Sequence, residues 1–330
     1  MKFPKIRTEN LLKRLDWPEG RVRMVLDTDT YNEADDQFAL AYALKSKDKL
    51  SLEAVYAAPF YQVVDNQLAL AFESKSKDEL KMNATYYKSK STGPADGMEK
   101  SYEEILRVFD KLKMSFEGLV YHGSKRYLSS VENPVDSDAA RNLIKRAKES
   151  KEEPLYVVSI GVVTNIASAI LMEPEIIKNI VVVWVGGHAL HWEDCADFNL
   201  IQDILSTRVL FDCGVPLIHI PAKGVTTHLQ TTIPELEFYL KGKNEICDYL
   251  INIFKEYAKE RYCWSKIIWD IATIAWLINS DWVNTNIIHS PIITDHATWS
   301  FDPGRHFIRS AQYMDRDKIF GDLFKKLTGK

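Results

Sequence analysis

Cysteine is scarce in this chain. Its 330 residues include four, Cys195, Cys213, Cys247 and Cys263, with no Cys-x-x-Cys pair. That spacing excludes a zinc ribbon and a disulfide-stapled secreted domain. Long apolar runs are also missing, and a stretch such as Ile180 to Gly187 is far too short to span a bilayer. Met1 to Asp16 is of mixed charge with no apolar core. No signal peptide is read there, and the expected location is cytoplasmic. Positive charge is not in excess. Lysine and arginine number 42 against 46 acidic residues, and the net charge of −4 gives no footprint for nucleic acid or an anionic membrane. No repeat, low-complexity tract or linker rich in proline, glycine and serine divides the chain, so 1–330 reads as one domain.

What is present is an alternation of short β-rich runs and amphipathic stretches. A capped helix from Thr8 to Leu15, stopped by Pro18 and Gly20, makes residues 1–20 an N-terminal helical extension. Val22 to Leu26 is too short for a helix and reads as a buried strand. Gln37 to Leu44 resumes helical spacing, and Ser51 to Ala58 is the next strand. Ser101 with Glu104 predicts a capping box before Ile105. Downstream, Ala139–Glu149 and Asn165–Leu171 read as helices, and Leu155–Ile160, Ile180–Val185 and Val215–Ile220 as strands. The polar stretch 83–100, with Gly93, Pro94 and Gly97, reads as a surface insert. Strands alternating with helices predict an α/β fold: a single domain with a largely parallel central sheet and helices on both faces, Rossmann-like in type. Ligands in such folds bind beyond the carboxyl ends of the strands.

The loop after the first strand runs Asp27-Thr28-Asp29-Thr30-Tyr31-Asn32-Glu33-Ala34-Asp35-Asp36. Five carboxylates within ten residues repel one another unless a cation or a dense hydrogen-bond network offsets the charge. Oxygen ligands suit Ca²⁺ or Mg²⁺, and no histidine or cysteine nearby points to zinc. Two enzyme classes fit. Asp27-Thr28-Asp29-Thr30 matches the Asp-x-Asp-x-Thr of haloacid dehalogenase-type phosphatases, with Asp27 as nucleophile and Mg²⁺ as cofactor. The pattern Asp-x-Asp followed shortly by Asp-Asp is that of nucleoside hydrolases.

The rest of the chain favours the second. Gly161-Val162-Val163-Thr164-Asn165-Ile166-Ala167, Gly186-Gly187, Asp197-Phe198-Asn199-Leu200-x-x-Asp203 and Trp269-Asp270 follow in order. Together with the acidic loop they resemble the nucleoside hydrolase family over most of the chain. The resemblance implies Ca²⁺-dependent cleavage of a ribonucleoside, or another N-riboside, to ribose and free base, with a role in purine salvage. It implies Asp29, Asp36, the Thr164 carbonyl and Asp270 as ion ligands, with Asp29 also the general base. Asp35 and Asn199 would hold ribose hydroxyls, and Asp197 would reach toward the 5′ end. By the same likeness the protein is a homodimer or homotetramer. Asp27 is read as structural support.

Several departures bear on the substrate. Five residues separate Asp29 from Asp35 where three are typical, which brings Asn32 and Glu33 into consideration. The second strand ends Tyr56-Ala57-Ala58-Pro59 without the family's asparagine, and His191 falls where another sugar-contacting asparagine is expected. Trp269 stands where inosine–uridine enzymes carry histidine and purine-specific enzymes carry tryptophan. Its indole suits stacking on a bicyclic base, with Trp192 among the candidates for the second face. Loss of turnover in a nucleoside- or sugar-binding relative is the alternative to an active enzyme.

Overall fold

The computed structural model describes residues 3–61, 90–149, 153–258 and 262–330. In chain order its strands are β1 (Val22–Thr28), β2 (Leu50–Ala57), β3 (Val120–Tyr121), β4 (Leu155–Ser159), β5 (Ile180–Val185), β6 (Leu217–Ile220), β7 (Gln230–Thr231), β8 (Lys266–Ile267), β9 (Val283–His289), β10 (Ile292–Ile293), β11 (Trp299–Ser300) and β12 (Phe307–Met314). Eight of them form one sheet in the order β3-β2-β1-β4-β5-β6-β12-β9. Only the β12–β9 pair in it is antiparallel. This is the α/β architecture expected from the sequence.

Side chains alternate between the two faces along each strand. Met24 and Leu26 enter one apolar cluster, and Val25 enters the other. Val181, Val183 and Val185 likewise face the first cluster, and Ile180, Val182 and Trp184 the second. Both faces are covered, as a parallel sheet requires. The first is packed by helices Thr8–Leu15, Asp36–Lys45, Pro94–Lys111, Glu245–Ala258, Ile271–Ile278 and Arg316–Thr328. Helix Asp36–Lys45 is buried on nearly all sides, from Asp36 through Leu44. It therefore runs through the core behind the acidic loop instead of lying on the surface.

Two expectations are corrected here. Residues 94–100 of the expected insert are the first turns of helix Pro94–Lys111, with Gly97 and Met98 buried; 83–89 lie outside the described residues. Gly97 has no room for a Cβ, which would stand 2.0 Å from the Phe60 carbonyl oxygen. Close helix–loop packing explains the glycine better than a turn. Ser101 and Glu104 are not a capping box, because the helix begins seven residues before Ser101. Glu104 is instead a buried acceptor for Gln37 Nε2 (3.2 Å) and for the Tyr249 hydroxyl.

Strand order reverses between β1 and β4. From β1 the sheet grows through β2 in one direction and through β4 and β5 in the other. The loops after β1 and β4 diverge and leave a crevice at the carboxyl end of the sheet.

Candidate active site

That crevice holds a cavity of about 260 Å³. Its acidic wall is Asp29, Glu33, Asp35, Asp36, Asp197 and Asp270. Three separate elements bring the carboxylates together: Asp29 comes directly off β1, Asp35 and Asp36 open helix Asp36–Lys45, and Asp270 opens helix Ile271–Ile278.

The local geometry separates a site from ordinary helix capping. Asp35 and Asp270 both occupy N-cap positions, yet neither side chain caps its helix. Asp35 Oδ2 instead accepts the backbone N–H of Trp269 at 3.3 Å. Asp36 Oδ1 accepts the Thr28 hydroxyl at 2.6 Å. One oxygen each from Asp35, Asp36 and Asp270 lies within 4.8 Å of the others. Asp29 adjoins them, 1% exposed, and its Oδ1 lies so close to Gly161 that a Cβ there would stand 2.7 Å away.

Burial, reinforced by neighbouring carboxylates, pushes Asp29 and Asp270 well above the usual carboxylate range. The same two causes raise Asp36 to about 8. Burial raises Asp35 to about 6, against the pull of the Lys266 ammonium. Asp29 Oδ2 and Asp35 Oδ1 are buried with no hydrogen-bond partner among the described residues. Unsatisfied anionic oxygens from several elements are costly in a dry site unless a cation meets them. Hard oxygens of this kind fit a divalent ion of the Ca²⁺ or Mg²⁺ class. The converging trio includes Asp35 in the place the sequence reading gave to Asp29.

The lengthened loop folds inward: both Asn32 and Glu33 line the cavity. The Asn32 N–H donates to the Asp29 carbonyl at 2.8 Å, and its own carbonyl accepts the Tyr257 hydroxyl at 2.8 Å. Lys266 pairs with Glu33 and lies 3.6 Å from Asp35 Oδ1. It is held there by the β7–β8 ladder.

The other expected residues divide. Asn199 lines the cavity, and its Nδ2 donates to the Ile160 carbonyl (3.2 Å) and the Val185 carbonyl (3.0 Å), tying the ends of β4 and β5 together. Asp197 also lines it, but its oxygens are engaged by the backbone N–H groups of Gly187, Asn199 and Leu200. Its chief work is holding the loop. Trp269 is half-buried on the cavity wall, away from the fully buried Trp276. The Thr164 side chain is off the cavity, its hydroxyl donating to Asp203 Oδ2 at 2.7 Å.

His191 lies off the cavity. It is exposed, edge-on to the 41%-exposed Trp192, and neither lines the cavity. Gly187, at φ +68°, turns the chain so that His188 faces inward, 3.6 Å from Asp194, while the following turn carries His191 out to solvent. Asp27 is fully buried, bound by Asn165 Nδ2 at 2.7 Å and Ser159 Oγ at 3.2 Å, and lies off the cavity. A phosphatase nucleophile needs an open line of approach, and Asp27 has none.

Sequence reasoning missed Lys266, Lys223 and Phe198 as site residues, although all three stand on or against the cavity. Phe198 lies inside the Asp197-Phe198-Asn199 motif; the lysines carry no local signal.

The chain is similar to several known proteins. The curated relatives include the pyrimidine-specific ribonucleoside hydrolase RihA of Escherichia coli O1:K1 / APEC, 28% identical over 161 residues, which are 46% of this chain and 51% of that protein. The chain thus spans about half the length of the curated relatives it matches. Among solved structures, the purine-preferring ribonucleoside hydrolase from Gardnerella vaginalis superposes with a TM-score of 0.66 at 18% identity, covering 93% of this chain and 98% of that one. The inosine-uridine preferring nucleoside hydrolase of Bacillus anthracis gives 0.62 at 17% identity, over 94% and 100%. These last two speak for the fold. The sequence model of the family described as "Inosine-uridine preferring nucleoside hydrolase" matches residues 24–301, so the chain belongs to that family.

Proposed function

We propose that the protein hydrolyses the N-glycosidic bond of a ribonucleoside to ribose and free base, with Ca²⁺ as cofactor and a preference for purines. The observation that carries this reading is the convergence of buried Asp29, Asp35, Asp36 and Asp270 on one cavity at the switch point of the sheet. The proposed ligands are Asp29, Asp36, Asp270 and the Thr164 carbonyl, with Asp35 beside them. A bound Ca²⁺ supplies Lewis acidity toward water and a grip on ribose hydroxyls.

The chain's own groups do the rest. Asp29 Oδ2, free of hydrogen-bond partners among the described residues, takes the proton of the attacking water. Asp35 accepts from a ribose hydroxyl, held in place by the Trp269 N–H and by Lys266. With its Nδ2 committed to two carbonyls, Asn199 offers its Oδ1 to the sugar. The Trp269 indole packs against the base, which supports purine preference by the area of a bicyclic ring. Homodimeric or homotetrameric assembly, a cytoplasmic location and a role in purine salvage belong to the same proposal. Among the described residues no helix is long and apolar enough to cross a membrane.

The test is ribose release by the purified protein from inosine, guanosine, adenosine, uridine and cytidine, with Ca²⁺ and with chelator. Chelator-sensitive release from purines alone supports the whole reading. Release from uridine at a comparable rate keeps the reaction and removes the purine preference. Tight nucleoside binding without ribose release would make the protein a non-catalytic binder.

A further inference from the structure

A cavity larger than the acidic one lies elsewhere in the molecule. At the opposite end of β1, roughly 20 Å away at about 3.3 Å per strand residue, lies a cleft of about 820 Å³. Its walls come from helix Thr8–Leu15, the segment leading into β1, and the approach to β4.

The cleft is basic in a way the net charge of −4 conceals. Lys5, Arg7, Lys13, Arg14 and Arg21 line it, and among the described residues none of the five makes an ion pair. Other cations there are already matched: Arg23 is bidentate to Glu53, and Lys178 pairs with Glu175 at 2.6 Å. Of the acids on the rim, Asp16 is held by Arg309 at 3.0 Å. Among the described residues that line the cleft, seven cations therefore stand against three acids.

One of these cations has an unmet need. Arg14 Nη1 is buried without a hydrogen-bond partner among the described residues. A guanidinium has five donors in a planar fork, and leaving one buried and unbonded is costly. Its fork matches phosphate oxygens in bidentate geometry, and the surrounding lysines and arginines add point charges. The volume falls in the range of drug-sized ligand pockets, well beyond what a lone phosphate fills.

We propose that this cleft is a second ligand site, distinct from the catalytic cavity, that binds a phosphorylated small molecule of nucleotide size carrying two or more phosphates. Arg14 takes a phosphate oxygen at its inner end, and Arg7 and Lys13 close on the phosphate chain from the exposed face.

The test is calorimetric titration of the purified full-length protein, in metal-free buffer, with ATP, inorganic tripolyphosphate and adenosine as probes. ATP and tripolyphosphate bind, adenosine does not displace them, and the affinity falls steeply with added salt. Arg14→Ala weakens both by at least tenfold. Because Arg14 is partly buried, Arg7→Ala/Lys13→Ala, at two exposed positions, serves as the second variant and gives the same loss with an unchanged melting temperature. Asp270→Asn, which alters only the catalytic cavity, leaves the affinity intact. A clear advantage of ATP over tripolyphosphate assigns the nucleoside part to the cleft as well; equal affinities assign the phosphate chain alone. The proposal is overturned if neither probe binds, if Arg7→Ala/Lys13→Ala stays within twofold of wild type, or if Asp270→Asn weakens ATP binding tenfold or more.

Discussion

Gly161→Ala tests the placement of Asp29 with a single methyl group. Gly161 is outside the left-handed region, so alanine brings no backbone strain. Its Cβ, however, would stand 2.7 Å from Asp29 Oδ1 and 3.1 Å from Cγ, where ordinary contact begins at 3.4 Å. The carboxylate must retreat by about 0.7 Å, the difference between those distances. It is 1% exposed and backed by other carboxylates, so it cannot swing into solvent. Overpacking of this kind costs about 1–3 kcal/mol. At roughly 2.1 cal/mol/K per residue, that lowers Tm by about 1–4 °C for a chain of this size. The catalytic effect is larger, since misplacing a reacting group by about 1 Å costs on the order of 10²-fold. The expected result is a folded protein whose kcat for ribose release falls about 10- to 100-fold, while Asp29→Asn loses activity almost entirely. Thermal melting and steady-state kinetics on the same preparation separate the two effects. A Gly161→Ala enzyme with kcat within twofold of wild type would refute the reasoning, because Asp29 would then be either movable or not the base.

Four other outcomes follow from the same geometry. Gly321→Ala, in helix Arg316–Thr328 with open space around a new Cβ, raises stability by about 0.5–1 kcal/mol; a lowered Tm would contradict the helix assignment. Trp269→Ala weakens kcat/KM for inosine by about tenfold, the upper part of the 0.5–1.5 kcal/mol range for aromatic pairs, and for uridine by less; equal losses would remove the indole as a purine platform. Burial holds His219 down to about 4. Its unfolded form takes up a proton first, so stability is lost as pH falls from about 6.5 toward 4, by roughly 3 kcal/mol at 1.36 kcal/mol per unit. His219→Phe should flatten that acid limb of a urea-unfolding series. Asp36 shows the opposite sign: its folded value of about 8 lies above the unfolded one. Its protonation stabilises the metal-free protein at low pH and that stability is lost as pH rises through about 8, so chelation lowers Tm more at pH 8.5 than at pH 6. A chelator effect independent of pH would argue against a carboxylate cluster.

How much of this was legible in the sequence depends on how local the cause was. β1, β4 and β5 were readable because a strand buried on both faces must be a short, unbroken apolar run. The acidic loop was readable because carboxylates do not crowd at the end of such a strand without a compensating charge. Asp270 was readable only through its motif, since an aspartate before a helix is ordinarily a cap; the structure shows its side chain making no cap bond. Gly93, Pro94 and Gly97 looked like loop punctuation, but Pro94 starts a helix and Gly97 lets that helix touch Phe60. Both residues serve either purpose, and only packing distinguishes them.

The amino-acid sequence by itself determined the alternation of elements, the parallel sheet and the acidic residues available at its carboxyl end. These rest on apolar periodicity and on charge density along the chain. Tertiary structure decided which side chains meet. Gly187 turned His188 inward and His191 outward. A two-residue ladder brought Lys266 to Glu33 and Asp35, more than two hundred positions away. Five cations became a cleft because an N-terminal helix came to rest near the start of β1. Direction and long-range proximity are properties of the packed backbone, and no window of sequence contains them.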